Sequence, residues 1–188
     1  SDELVFNISN LIDDYKNVAS VTKRVALKII ASIFYPMGVL SPVVINFKLF
    51  FQKLCSSNID WDFTLNEELV TEWKNLFSDL IKLAPIHLPR YYLDKYSINE
   101  IKSIEIHGFS DASAKAYASC VYLKFIFYDD ITLVKFLCSK TRVNPLEKKL
   151  TIPRLELMGC FLLSNVLKSC LISLNPIFSN VDIYCWSD

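Results

Sequence analysis

Three acidic residues stand beside apolar segments, at positions from which a fold can bring them together. Asp111 follows an apolar stretch in FSDAS, Glu156 begins one in PRLEL, and Asp188 follows one in CWSD. Clustered carboxylates repel one another, so a cation that lies between them stabilises the cluster. Mg²⁺ suits such a site because it takes hard oxygen ligands, keeps several waters and completes its shell with substrate phosphate. A pair of these ions can hold the attacking water and the leaving oxygen of a phosphodiester, so the residues predict metal-assisted hydrolysis.

The second half of the chain contains the elements that must position these carboxylates. Segments rich in β-branched and aromatic residues predict four strands, at residues 104–109, 117–127, 131–137 and 181–186. Asp129 and Asp130 predict a hairpin turn between the second and third strands. Residues 155–174 are almost entirely apolar, which predicts a helix buried on most of its surface.

The order of these elements predicts how the carboxylates meet. The single helix can serve as the crossover that places the fourth strand parallel to the first. Asp111 and Asp188 would then emerge at the same end of neighbouring strands, and Glu156 would lie one residue into a helix that packs across them. The three carboxylates are therefore predicted to converge. His107, in the first strand, has two interpretations, a proton shuttle or a half-buried strand residue.

The first half of the chain has a different pattern, which predicts mostly helix. Apolar residues recur at helical spacing in residues 22–33, 43–54 and 65–83. Asn66 is a predicted N-cap for the third segment, and the acidic residues that follow it suit the first turn of a helix. The sequence thus predicts an α/β chain. An α-rich segment over residues 1–96 precedes a mixed sheet over residues 97–188, whose elements follow the order β-β-β-α-β.

The composition limits the classes of function. The 188 residues carry 20 basic and 20 acidic side chains, so no overall charge draws the chain to nucleic acid or to a membrane. Prolines and a glycine interrupt the uncharged segment at residues 29–47, which argues against a membrane span there. The six cysteines never fall two to four residues apart, and the apolar neighbours of most of them favour buried free thiols in a reducing compartment. We expect an intracellular protein with no membrane partner and no small-molecule cofactor.

Several short motifs together resemble the polyproteins of BEL/Pao retrotransposons. Members of that group typically carry TKR, IFDPLGLLSP, WD, LHGFSDAS, KSRV, IPRLEL and WTDS segments. The corresponding segments of this chain are TKR at 22–24, IFYPMGVLSP at 33–42, WD at 61–62, IHGFSDAS at 106–113, SKTRV at 139–143, TIPRLEL at 151–157 and WSD at 186–188. The resemblance covers most of the chain. Tyr35 departs from the family pattern, which has an acid at that position.

The resemblance implies a ribonuclease H-like domain attached to a reverse transcriptase. Asp111, Glu156 and Asp188 would be the catalytic residues and the ligands of Mg²⁺ or Mn²⁺ in a nuclease that cuts RNA paired to DNA. Residues 1–96 would correspond to the thumb and connection segment that follows the polymerase, and the protein would act in the cytoplasm, in a virus-like particle. Because the family continues to a fourth carboxylate, we expect the nuclease domain to be incomplete at its C-terminus and this chain alone to be inactive.

Basic side chains concentrate around the segment that leads to Glu156. The candidate nucleic-acid contacts are Lys140, Arg142, Lys148, Lys149 and Arg154. By the resemblance they would hold the phosphates of an RNA–DNA hybrid, which is recognised through its backbone and shape. A solvated surface explains the same residues equally well.

Two other functions stay open at this point. A non-catalytic tether within the polyprotein is favoured by the missing fourth carboxylate. The family also carries the label Pao retrotransposon peptidase. An aspartic protease needs an Asp-Thr-Gly or Asp-Ser-Gly loop around its paired carboxylates, and the sequence contains neither triplet.

Overall fold

The computed structural model describes residues 2–6, 12, 20–83, 85–178 and 180–188. The chain forms two compact units, one of Ser1–Pro36 with Leu40–Arg90 and one of Met37–Val39 with Tyr91–Asp188. The sequence-based boundary between residues 96 and 97 stays a prediction about the domains of the protein. Parts of its first segment, at residues 1, 7–11, 13–19 and 84, lie outside the described residues.

The first unit is built mainly from helices, as predicted. Its elements are β1 (Glu3–Phe6), α1 (Lys23–Ser32), α2 (Ser41–Ser56), α3 (Glu67–Lys82) and β2 (Ile86–Pro89), with β1 and β2 antiparallel. The predicted cap of α3 is confirmed, because the Asn66 side chain accepts a hydrogen bond from the backbone N–H of Leu69 at 2.9 Å. Around the fully buried Trp73 pack the rings of Phe47, Phe50 and Phe77, which form the aromatic core between α2 and α3.

The TKR and WD motifs meet within this first unit. Arg24 donates hydrogen bonds from Nε and Nη2 to the two carboxylate oxygens of Asp62, at 2.7 and 3.0 Å. Lys23 places its Nζ 4.9 Å from the centre of the Trp61 ring. The hydrogen bonds from Arg24 hold the pKa of the Asp62 carboxyl below its ordinary value. Both motifs therefore have a local structural role in joining the start of α1 to the segment before α3.

The second unit contains the predicted mixed sheet. Its elements are a 3₁₀ turn (Ile98–Glu100), β3 (Ile101–Ala112), β4 (Ala116–Phe127), β5 (Thr132–Val143), α4 (Ile152–Leu174) and β6 (Asp182–Ser187). The strands lie in the order β5-β4-β3-β6, with β6 parallel to β3 and the other neighbours antiparallel. The fold class and the crossover by a single helix are confirmed.

Helix α4 packs against β3 and β4 and covers the buried face of the sheet. The sheet contributes Ile106, Val121 and Phe125 to the core, and the helix contributes Leu163 and Leu167. The prediction of a helix buried on most of its surface is wrong, because one sheet covers only one side of it. The other side is exposed and includes Leu157, Phe161 and Ile172. By length and composition α4 could cross a membrane, with a mean hydropathy of 1.7, but its leucine-rich side is the core of this unit.

The PMG and SKTRV motifs also meet, at the free edge of the sheet. Ser139 in β5 donates from its backbone N–H to the Met37 carbonyl at 2.9 Å and from its hydroxyl to the Gly38 carbonyl at 2.7 Å. Gly38 has a backbone φ of 76°, which residues other than glycine rarely adopt. The short segment Met37–Val39 therefore covers part of β5, the kind of strand edge that would otherwise leave backbone groups unpaired.

Candidate functional site

The ends of β3 and β6 bring Asp111 and Asp188 to the same edge of the sheet. Ser110 of β3 is the register partner of Ser187 in the parallel strand β6. Asp111 and Asp188 are the next residues along each strand direction, and both are exposed. This juxtaposition follows from the crossover through α4, which returns the chain parallel to β3.

Glu156 reaches the same edge from α4. The helix begins at Ile152, three residues earlier than expected, and Pro153 occupies its first turn. Proline favours that position because its fixed φ is preorganised for helix and it lacks an N–H that would go unpaired. Glu156 is consequently the fifth residue of α4 and is half-buried.

A thiol joins the three elements at this edge. Cys160, one helical turn after Glu156, places its Sγ 3.6 Å from the Ser110 hydroxyl and 3.2 Å from the Ser187 hydroxyl. Hydrogen bonds from Ser187 and then Ser110 lower the pKa of the Cys160 thiol, and the nearby Glu156 carboxylate opposes them. The preceding residue is glycine, and a Cβ at Gly159 would lie at an ordinary contact distance, 3.5 Å, from the Asp111 carbonyl oxygen.

The pleat of the sheet separates the carboxylates that the sequence predicted to converge. Ser110 and Ser187 face α4, so alternation along the strands directs Asp111 and Asp188 toward the opposite face, whereas Glu156 approaches from the helix side. Within the described part of the chain, no group of three or more His, Cys, Asp or Glu side chains is arranged to hold a metal ion. The structure places Asp111 and Asp188 at neighbouring strand ends, directed to one face of the sheet. Glu156 lies on the other face, with α4.

The donor chemistry at this edge nevertheless fits a hard divalent cation. The three candidate ligands are all carboxylates. The described residues include no ion pair of Asp111, Glu156 or Asp188 with a basic residue. Mg²⁺ needs only one or two protein carboxylates, since it keeps several waters and completes its shell with phosphate. Two aspartates at adjacent strand ends meet that requirement.

The match to a known family decides the identity of this architecture. Residues 22–188 match the family described as the Pao retrotransposon-like RNaseH-like domain. The chain belongs to this family. The expected BEL/Pao relationship is thereby confirmed, and the matching description is that of an RNaseH-like domain.

Beyond the family, the similarity to known proteins is distant. One similar solved structure is described as that of the foamy viral protease-reverse transcriptase dRH in complex with ds DNA. It has a TM-score of 0.47 and 15% sequence identity, and the alignment covers 94% of this chain and 27% of that one. The Pao domain chain therefore spans about a quarter of the length of that protein. No curated protein matches the Pao domain chain.

The basic residues of this Pao domain lie on the α4 side of the sheet. Cys138 of β5 contacts Cys170 of α4, with 3.6 Å between their Sγ atoms, so residues two and four positions further along β5 face the same way. Those residues are Lys140 and Arg142, which lie in β5, beyond residue 137 where the predicted strand ended. The remaining three residues of the set follow in the loop and in the first turn of α4, and all five are exposed: Lys140, Arg142, Lys148, Lys149, Arg154.

Asn144 organises the loop between β5 and α4, and sequence reasoning missed it. Its side chain is buried, donates from Nδ2 to the Ala114 and Leu150 carbonyls at 3.0 and 3.2 Å, and accepts from the Leu150 N–H at 3.0 Å. It thereby joins the turn after Asp111 to the loop that carries two of the lysines. The available signal was an asparagine placed directly after a strand-like segment, where its side chain can satisfy loop backbone groups.

We expect Asn144→Ala to lower the free energy of unfolding by about 1 to 3 kcal/mol, because the buried Asn144 side chain is lost and with it three part-buried hydrogen bonds to backbone groups of Ala114 and Leu150. Urea unfolding followed by circular dichroism measures the change. Asn165→Ala is the matched control, since Asn165 is exposed and only bonds to the Phe161 carbonyl of its own helix. It should shift stability by no more than about 0.5 kcal/mol. Equal losses in the two variants would contradict this role of Asn144.

His107 takes part in a structural cluster on the sheet face opposite α4. Its Nδ1 accepts from the Trp186 indole N–H at 3.3 Å, which leaves Nε2 to donate to the Glu105 carboxylate at 2.8 Å. The ring also stacks on Tyr184, with 5.1 Å between ring centres. Hydrogen bonds from Lys124 and His107 hold the pKa of the Glu105 carboxyl below its ordinary value. These contacts favour the interpretation of His107 as a strand residue over that of a proton shuttle.

The cysteines are free thiols throughout the described residues. Of the five cysteines with apolar sequence neighbours, which were predicted to be buried, only Cys170 is buried. Cys120, Cys138 and Cys160 are half-buried, and the prediction is wrong for Cys185, which is exposed in the edge strand β6. Cys138 and Cys170 share a thiol hydrogen bond that raises the pKa of Cys138 and lowers that of Cys170. Their proximity reflects the packing of α4 on β5.

Proposed function

We propose that this chain supplies the ribonuclease H-like part of a retrotransposon polyprotein and acts in metal-dependent hydrolysis of RNA within RNA–DNA hybrids. The observation that carries the proposal is the parallel pairing of Ser110 with Ser187, which sets Asp111 and Asp188 side by side at one sheet edge. Glu156 approaches the same strand ends from the helix side, one turn before Cys160. A reverse transcriptase domain in the same polyprotein and a cytoplasmic, particle-associated setting accompany this proposal.

The residues of this chain would act mainly by holding cations and a phosphodiester in place. Asp111 and Asp188 are the residues that would hold Mg²⁺ or Mn²⁺, with Glu156 as the third carboxylate. When bound, such ions activate a water and stabilise the leaving oxygen. The exposure of Asp111 and Asp188 leaves room for a bulky polymer, and their negative charges remain available for cations because no described basic side chain pairs with them.

The basic residues support binding of a nucleic-acid duplex across the strand ends, with phosphate contacts on the α4 side, from which Glu156 also approaches. Lys140 and Arg142 project from β5, Lys148 and Lys149 from the following loop, and Arg154 from the first helical turn. Lysine and arginine contacts to phosphates supply affinity without reading sequence, which suits an enzyme that must process a whole transcript. The 2′-hydroxyl groups of the RNA strand and the shape of the duplex would supply the selectivity.

A hydrolysis assay tests the proposal. The substrate is end-labelled RNA annealed to DNA, with the same RNA alone and a DNA duplex as matched substrates, each with Mg²⁺ and with chelator. The assay compares this chain with a version extended by about 60 residues of its own coding sequence, because a larger domain closes its core more completely. We expect Mg²⁺-dependent cleavage of the hybrid RNA by the extended chain and little by the shorter one.

A non-catalytic tether is the second candidate function. The separation of Glu156 from the two aspartates by the pleat of the sheet favours it. Hybrid binding without cleavage by the extended chain would support the tether and defeat the nuclease. Robust cleavage by the 188-residue chain alone would defeat the tether.

A further inference from the structure

The interface between α4 and the sheet changes character near the carboxylates. Along most of its length leucines of the helix meet apolar strand residues. Beneath the first turns of α4 the residues are hydroxyls and a thiol instead. We call this set the polar cluster, and it consists of Ser110, Ser119, Cys160 and Ser187.

Cys160 is the member that connects the elements of the cluster. Its Sγ contacts Ser110 of β3 at 3.6 Å and Ser187 of β6 at 3.2 Å, so one helix residue binds both parallel strands. Each strand residue directly precedes a proposed metal ligand, and Cys160 follows the third by one turn. The bridge therefore fixes the three backbones from which Asp111, Glu156 and Asp188 project.

Ser119 indicates that the cluster is not there for stability. It is the register partner of Ser110 on β4 and is 2% exposed, yet its hydroxyl has no hydrogen-bond partner among the residues that the structure describes. An unpaired buried hydroxyl costs free energy, and small apolar residues would fill the same space without that cost. A sequence that keeps four polar side chains under an otherwise apolar helix gains something other than core packing.

We propose that Cys160 is a positioning residue, which holds the ends of β3 and β6 under α4 through Ser110 and Ser187 and so sets the spacing of the carboxylates. This proposal rests on the proposed function for its consequence, the affinity for a divalent cation. Its structural part, the hold on the end of β6, is independent of that function. β6 needs such a hold because it is an edge strand, paired only with β3 among the described strands.

The test uses the 188-residue chain and compares Cys160→Ala, Cys160→Ser and Cys170→Ala. Serine keeps a small hydrogen-bonding group at position 160, and alanine removes it. Cys170 is the matched control because it lies on the same helix and contacts Cys138, away from the carboxylates. Two quantities are measured: Mn²⁺ affinity, from the EPR signal of the free ion, and amide hydrogen exchange of the peptide that contains β6.

We expect Cys160→Ala to weaken Mn²⁺ binding about tenfold, the lower end of the loss that follows removal of a residue supporting metal ligands. It should also speed exchange in β6 while leaving β4 unchanged. Cys160→Ser should restore both quantities toward the wild-type values. Cys170→Ala should lower the unfolding temperature without either effect.

Three outcomes would overturn the proposal: wild-type exchange in β6 for Cys160→Ala, the same loss of affinity in Cys170→Ala, or no recovery with serine. The proposed function fails separately, if wild-type protein and an Asp111→Asn variant bind Mn²⁺ equally. In that case faster exchange in β6 for Cys160→Ala, with recovery by serine, still supports the hold on the strand.

Discussion

Replacing Asp111 by asparagine should reduce Mg²⁺-dependent cleavage of hybrid RNA by at least about 100-fold in the extended chain, the order expected when several kcal/mol of charge stabilisation is lost. Asparagine has nearly the same shape and keeps an acceptor oxygen. It removes the negative charge that, beside Asp188, would hold the cation. The measurement is the initial rate of RNA cleavage at saturating Mg²⁺, together with the Mn²⁺ affinity of the variant.

The matched control is Asp129→Asn. Asp129 is also an exposed aspartate of the second unit, but it lies in the β4–β5 hairpin, at the opposite end of the sheet from Asp111. Its carboxylate accepts from the Ile131 N–H and from the Tyr96 hydroxyl, so its role is to close a turn. We expect wild-type cleavage from this variant. Cleavage that survives Asp111→Asn unchanged, in protein with a native circular dichroism spectrum, would end the nuclease proposal.

The sequence predicted the order and the type of the elements well, because each has a strong local signal. Richness in β-branched and aromatic residues identified the strands, and a long, almost entirely apolar segment identified α4. Their lengths were less predictable. β5 continues through the polar residues of SKTRV to Val143. The side chains of this segment do not predict a strand, but backbone pairing with the long strand β4 extends it.

The candidate site was predictable only to the level of the sheet edge. Topology alone brings Asp111 and Asp188 together, and a helix crossover brings Glu156 near them. The face from which each side chain leaves the sheet depends on the exact strand register and the pleat, and a shift of one residue reverses it. The contacts of Cys160 and Asn144 depend on that register in the same way, which is why neither residue stood out in the sequence.

The pairings between distant motifs were also beyond sequence reasoning. TKR contacts WD, and PMG contacts SKTRV. The members of each pair are far apart in the sequence, so no local pattern predicts that they meet. Once the pairs are seen, the motifs have a physical meaning that requires no catalytic role. Tyr35, the departure from the family pattern, stands next to the PMG turn, and its ring lies 5.9 Å from Lys48 Nζ.

The PMG turn gives the largest stability effect that we expect in the chain. Gly38→Ala introduces a Cβ at a φ of 76° that would overlap the Ser139 carbonyl oxygen, a backbone atom that cannot move without disturbing β5. A strained backbone of this kind costs about 1 to 3 kcal/mol, and the clash adds to it, so the free energy of unfolding should fall by at least about 2 kcal/mol. Chemical denaturation measures the loss, and hydrogen exchange at Ser139 should show whether the turn has left the strand.

Gly159→Ala is the matched control, a glycine-to-alanine change within a helix. It tests whether the loss of stability in Gly38→Ala comes from the backbone geometry at position 38. There the new Cβ would lie 3.5 Å from the Asp111 carbonyl oxygen, an ordinary van der Waals distance. Alanine also favours an α-helix over glycine by about 1 kcal/mol, so this variant should be as stable as the wild type or slightly more stable. A Gly38→Ala protein no less stable than Gly159→Ala would show that Met37–Val39 does not hold the edge of β5. A Gly38→Ala protein less stable than Gly159→Ala would mean that the PMG turn keeps its contact with Ser139, 101 residues away in the sequence, because position 38 has no side chain.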